Sequence, residues 1–257
     1  MSKINRLYGW SKTHADKIKN REFHAFQLEK NVQLPVLIDL RQYCPDVYDQ
    51  GDLGSCSANA LGAAYEIMQI KNNEKDYFIP SRLFIYYNER AKEGTITEDS
   101  GAIIADGINV CTSMGVCPET LWPYTVSKFN VKPPQTCYTS AKEYKIIKSL
   151  NITQSLIQLK QSLVNGFPIV FGFMVYASFE SDQVAANGMM PMPVQGEECM
   201  GGHAVLCVGY DDSIQCFVVR NSWGPNWGDK GYFYMPYAFM TDPNYCSEFY
   251  SITQISK

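Results

Sequence analysis

The sequence predicts an α+β fold with its helices ahead of its strands. Two features carry that expectation: apolar residues at helical spacing fill the first half, and runs rich in β-branched and aromatic residues fill the second. Residues 1–33 are polar, with scattered aromatics and no periodicity, and read as an extension. From Leu34 the sequence reads as a compact domain, expected over 34–257. A turn-rich approach through Tyr43-Cys44-Pro45-Asp46 and Gln50-Gly51-Asp52 leads to Gly54-Ser55-Cys56. Leu61, Ala64, Tyr65 and Met68 then recur every three or four residues, so a helix starts near Cys56. A second helix is expected from Ser81, an N-cap after Pro80, through Tyr87.

Gly101, Gly107, Gly115, Pro118, Pro123, Pro133 and Pro134 punctuate the middle, which reads as a loop-rich handover between lobes. The boundaries expected are about 44–135 for the helical lobe and about 136–240 for the β lobe, with a C-terminal segment crossing back. Inside the second lobe, Leu156, Leu159 and Leu163 mark one helix face, with Gly166 as its stop. Strands are expected over Ile169–Val175, Ala204–Val208, Phe217–Arg220 and Gly231–Met235.

Composition narrows the function. The chain has 257 residues, 46% of them hydrophobic, and a net charge of -4. Lys17 and Lys19 sit beside Asp16 and Glu22 and read as solvated surface, so no nucleic-acid partner is expected. The N-terminus lacks the apolar region of a secretory signal, and no run approaches the ~18 apolar residues of a membrane helix. Nine cysteines, an odd count, then read as buried thiols plus one reactive thiol. A bridge between Cys111 and Cys117 is the nearest sequence pairing. No cofactor or metal is expected, since no cysteine pair has C-x₂₋₄-C spacing and there are three histidines in all.

A nucleophilic thiol needs a stabilised thiolate, a base beside it and donors for an oxyanion. Cys56 stands where a Gly-Ser turn enters a helix, whose positive end favours thiolate. His14 and His24 lie in the extension, which leaves His203, preceded by Gly201-Gly202, as the base. Asn221, at the end of the next strand, is placed to orient the imidazole.

QGDLGSC (Gln50 to Cys56), GGHAV (Gly201 to Val205) and NSWGPNWGDKGYF (Asn221 to Phe233) resemble the three motifs of the papain family, in order. His203 follows Cys56 within the roughly 130–150 residues expected of that family, and Asn221 slightly beyond. LPVLIDLR (Leu34 to Arg41) resembles a mature papain-like N-terminus, and GVCPETLWPY (Gly115 to Tyr124) the family's Gly-Val to Tyr-Pro-Tyr segment. The resemblance implies a two-lobed fold, a helical lobe facing a barrel-like antiparallel β lobe, with the active site between them. It implies a monomeric cysteine endopeptidase acting on polypeptides. Cys56 would be the nucleophile, His203 its base, Asn221 the orienting amide and Gln50 an oxyanion donor. Trp223 would shield the His203–Asn221 contact, while Trp227 reads as core.

Two positions depart from the family. Leu53 stands where a disulfide cysteine is usual, and Ser57 where a bulky aromatic follows the nucleophile. These changes, with Tyr8-Gly9-Trp10, are similar to compact bacterial and giant-virus members, and suggest a cytoplasmic or virion-associated setting. No histidine lies between His24 and His203, so the pair that makes cathepsin B a dipeptidyl carboxypeptidase has no counterpart. The second-residue pocket is expected to have Ala102, Pro168 and Ala204 as walls, and either Ser247 or Glu248 as floor. The same residues would also suit a peptide-binding pseudo-peptidase or an acyl transferase. The extension is too short for a folded prosegment, yet Arg6, Leu7, Tyr8 and Trp10 could anchor it as a strand across the cleft, as a short prosegment.

Overall fold

In the computed structural model of the chain, which describes residues 8–11, 24–27 and 33–256, the helix expected near Cys56 is the buried centre of the first lobe. This helix, α1 (Cys56–Lys71), is buried at every residue from Cys56 to Gln69. Ala58, Ala60, Gly62, Ala63 and Ala64 keep it slim, which lets neighbouring elements approach on all sides. Helix α2 (Arg82–Glu93) starts as expected at Ser81, whose hydroxyl accepts from Phe84 N, and ends on left-handed Gly94. It runs well past Tyr87, because its polar residues Asn88, Glu89 and Arg90 are buried with it.

The stretch from Gly101 to Pro134 is not all loop. It contains helix α3 (Ile104–Ser113), and α4 (Gln135–Ala141) follows directly. Gly107 had suggested a break, but it sits inside α3 for a packing reason. A Cβ there would lie 2.2 Å from both Glu89 Oε1 and Leu61 Cδ1. Gly107→Ala is therefore expected to cost about 1–3 kcal/mol by overpacking, although alanine is the better helix former. Urea denaturation checks this; a stabilised variant would show that the contact relaxes freely.

The second lobe is one sheet in the order β1-β3-β8-β4-β5-β6-β7, with β2 (Leu37–Asp39) pairing β5. Its strands are β1 (His24–Ala25), β3 (Ile146–Asn151), β4 (Ile169–Tyr176), β5 (Cys199–Asp211), β6 (Cys216–Arg220), β7 (Tyr232–Pro236) and β8 (Cys246–Ile255). All pairings are antiparallel except β1 with β3. The four expected strands are present. β3 and the long β8 are additions, and β8 lies within the sheet between β3 and β4. Helices α5 (Leu156–Val164), α6 (Asp182–Asn187) and α7 (Tyr237–Met240) complete the lobe. Leu159 and Leu163 of α5 are buried, whereas Leu156 is exposed. One apolar cluster runs from α1 through β4, β5 and β8, so the two lobes share a core.

All nine cysteines are free thiols. Cys111 and Cys117 do not bridge; the Cys117 thiol instead bonds with the Cys137 thiol on α4. Cys199 is exposed, contrary to the expectation of burial. Among the described residues no helix is long and apolar enough to cross a membrane, and no cluster of His, Cys, Asp or Glu is arranged to hold a metal.

Candidate active site

Cys56 is the first residue of α1 and is fully buried. Gly54, two residues before it, is anchored by its N–H on both oxygens of Asp99, at 3.1 and 3.0 Å. Burial pushes the Cys56 thiol up to about 11, while backbone N–H groups of Ala204, Gly9 and Ser57 favour its thiolate and hold the rise down. One of those donors follows His203 on β5, which brings that strand onto Cys56.

His203 is buried, and its Nε2 lies 2.8 Å from Asn221 Oδ1. That oxygen also accepts from Ser222 N at 2.8 Å. An N–H already pointing at Oδ1 fixes the amide, so Nε2 must be the donating nitrogen of the ring. Nδ1 is then left for proton transfer. Trp223 stacks on the imidazole at 4.9 Å with a 23° tilt, and Phe173 meets its edge at 5.7 Å. Trp223 in turn packs on Phe179 and Trp227, so the shield is itself held by core aromatics.

Gln50 is buried between the lobes. Its Oε1 accepts from Ser222 Oγ at 2.5 Å, its N–H donates to Ser222 O at 2.9 Å, and its Nε2 donates to Leu53 O at 2.9 Å. These contacts use one of the two amide hydrogens. Leu53, in the place of the usual cysteine, is a buried core residue.

Residues 8–11 lie across this site. Trp10 N donates to Gly202 O at 3.0 Å, and Ala102 N donates to Gly9 O at 2.7 Å. The Trp10 side chain is buried, and its indole N–H donates to Glu248 Oε2 at 2.7 Å. Tyr8 meets the edge of the His203 ring at 6.4 Å and its hydroxyl bonds to Glu180. The close approach needs glycines: a Cβ on Gly172 would fall 2.0 Å from the Trp10 ring, and one on Gly202 2.2 Å from Trp10 O. Arg6 and Leu7 lie outside the described residues.

The Trp10 pocket sorts the expected lining residues. Ala102 lies against the segment and Ala204 against Cys56. The β4 residue against Trp10 is Gly172, four positions after Pro168, or about 13 Å at the usual rise. Glu248, not Ser247, meets the indole. Its carboxylate also accepts from Ala105 N at 3.0 Å and Ile104 N at 3.3 Å, at the start of α3. Burial raises the Glu248 carboxyl, and the Trp10 N–H opposes the rise. Ser247 pairs with Gly172, and its hydroxyl is buried. Gly172 had no sequence signal beyond a glycine in the middle of a strand, which often marks close approach of another group.

The model of the papain family cysteine protease matches residues 34–248. The chain belongs to that family. It is a cysteine endopeptidase acting on polypeptides. An uncharacterised peptidase C1-like protein of Acanthamoeba polyphaga mimivirus is 40% identical over 99% of this chain and 89% of its own length. The crystal structure of xylellain, a cysteine protease from Xylella fastidiosa, is also 40% identical, covering 97% of this chain and 95% of that one with a TM-score of 0.86. The proform of a cathepsin B from Trypanosoma congolense, 17% identical, shares the fold with a TM-score of 0.70 over 90% of this chain and 81% of that one.

Proposed function

We propose that this papain-family protease cleaves peptide bonds with Cys56 as nucleophile, His203 as base and Asn221 as the group that orients it. The observation that supports this most is the doubly held Asn221 Oδ1, which commits Nε2 of His203 to donation and leaves Nδ1 for the thiol proton. Transfer of that proton gives a thiolate and an imidazolium, each stabilising the other in a dry site. The thiolate attacks the scissile carbonyl carbon, and negative charge moves to the carbonyl oxygen. The Cys56 N–H at the helix start and the second amide hydrogen of Gln50 would receive it. His203 then protonates the leaving amine, and water hydrolyses the thioester.

Residues 1–33 would act as a short prosegment, with 8–11 holding the cleft in a latent state. The same contacts would keep this segment from being cut. Gly9 turns its N–H toward the Cys56 sulfur, and its carbonyl oxygen is engaged by Ala102 N. The nucleophile therefore faces no carbonyl carbon presented to the oxyanion donors.

Once the segment leaves, the pocket vacated by Trp10 would select the second residue before the scissile bond. Ala102, Ala204 and Gly172 make it roomy, and the Glu248 carboxylate at its floor would accept an N–H donor. Aromatic side chains and arginine are expected to be favoured there. Two measurements test the reading. An epoxysuccinyl inhibitor should label Cys56 alone, and in a peptide library Glu248→Ala should lower the arginine-to-leucine ratio about tenfold or more, the value of one charge-assisted hydrogen bond. Labelling at another cysteine removes Cys56 as nucleophile, and an unchanged ratio removes Glu248 from the pocket.

A further inference from the structure

Ser57 follows the nucleophile where the family has an aromatic, and the space behind Cys56 is filled from α2. Ser57 Oγ donates to Glu89 Oε2 at 2.9 Å, and both side chains are fully buried. Glu89 Oε1 meets no donor among the described residues. The backbone of Gly107 and the methyl of Leu61 close over it. A carboxylate sealed in this way, with one bare oxygen, is among the costliest groups a protein can bury. A carboxylic acid is not: its hydroxyl at Oε2 can donate to Ser57 Oγ, leaving at Oε1 a carbonyl oxygen that is far cheaper to leave bare.

The surrounding charges agree. Glu93 on the same helix and Asp106 on α3 both oppose ionisation of Glu89, and Arg90 favours it more weakly. The Arg90 guanidinium is already committed to the carbonyls of Ile96, Glu98 and Phe129 and to the Tyr86 ring. Lys92 is paired with Asp106 and Asn109. Burial and these neighbours hold the Glu89 carboxyl well above the usual range. A negative Glu89 would also act against the Cys56 thiolate, since its charge disfavours that form.

We infer that Glu89 is a positioning residue for the nucleophile: a neutral carboxylic acid that ties the first turn of α1, through Ser57, to α2 without placing a negative charge behind Cys56. The inference rests on Cys56 being the nucleophile, and its first readout does not depend on that assignment. In difference infrared spectra of the full chain at neutral pH, wild type minus Glu89→Gln should show the carbonyl stretch of a protonated, dry carboxylic acid. In Ser57→Ala the band should remain but shift, because its hydrogen-bond partner has gone. Absence of the band, or a band that Ser57→Ala does not move, overturns the inference even if Glu89→Gln proves hard to fold.

The second readout is kinetic. The acidic limb of the kcat/KM profile should keep its midpoint in Glu89→Gln, since no charge has been removed. A midpoint that falls by about one pH unit, a tenfold change in the thiol equilibrium, would mean that Glu89 is ionised and overturns the inference. Glu89→Ala, which breaks the tie, should lower kcat about tenfold per folded enzyme with KM little changed. An unaltered kcat would reduce Glu89 to a packing residue. If Cys56 fails to label with the epoxysuccinyl inhibitor while the infrared band is present, the catalytic assignment fails and the neutral acid stands.

Discussion

Cys56→Ala should lower kcat/KM for a fluorogenic peptide by roughly 10⁴-fold or more while leaving the protein folded. Alanine replaces a small buried side chain at the first position of α1 and is a better helix former than cysteine, so little packing is lost. What is lost is the sulfur proposed to form the thioester. His203→Ala should be as severe, because without Nδ1 the thiol keeps its proton: burial, the largest cause, leaves it raised to about 11 even with the backbone N–H groups opposing. The two losses should not add, since either change stops the same step and the double variant should match the worse single one. Gln50→Ala should be milder, about 10²-fold and in kcat, as expected of one oxyanion donor among two. Retention of the rate in Cys56→Ala, or losses in the two single variants that multiply, would rule out a shared nucleophile and base.

The proposed catalytic set is legible because its chemistry demands particular residue types in local settings that a sequence displays. A cysteine at a helix start, a histidine after two glycines and an asparagine ending a strand each have a local signature. Their meeting then follows from β5 and β6 being neighbours: Leu206 pairs with Arg220, which sets His203, three residues before the one, beside Asn221, just after the other. Features that depend on two distant segments were not legible. Gly107 looked like a break, yet it is a glycine because Glu89 and Leu61 occupy the room a methyl would need. The expected walls include Pro168 and not Gly172, which lies against Trp10, because a sequence shows side chains and not the space left by a missing one. The floor of the pocket turned on a single residue of register along β8. Glu248 has a positive φ of 59, an irregular backbone that simple alternation could not anticipate. Ser57 was visible as a departure, but its partner Glu89 lies on another helix, and only the packing of α1 on α2 brings the two together.

Latency should depend chiefly on Trp10. Its indole is buried over Gly172 and Gly202 with its N–H on Glu248. Burying a tryptophan and removing it typically differ by about 3–5 kcal/mol, and the segment is tethered at an effective concentration on the order of millimolar. Trp10→Ala in the full chain should therefore raise kcat/KM by about 10–10²-fold, limited by the point at which the cleft is fully open. The pH dependence has a definite sign. Closure buries two acids, Cys56 under Gly9 and Glu248 under Trp10, and the pKa of each is raised by burial. Each binds its proton more tightly in the closed form than in an open cleft, so closure gains from them at low pH. The gain from Glu248 is lost as pH rises through its raised value, and that from Cys56 as pH approaches about 11. The excess of Trp10→Ala over wild type should accordingly be largest in acid and shrink toward alkaline pH, the reverse of a zymogen opened by acid. Rates for both chains on one short substrate, normalised to the titrated active-site concentration, measure it directly. Equal rates at every pH would mean that residues 8–11 do not control the cleft, and an excess that grows with pH would mean that some other pair of groups sets the balance.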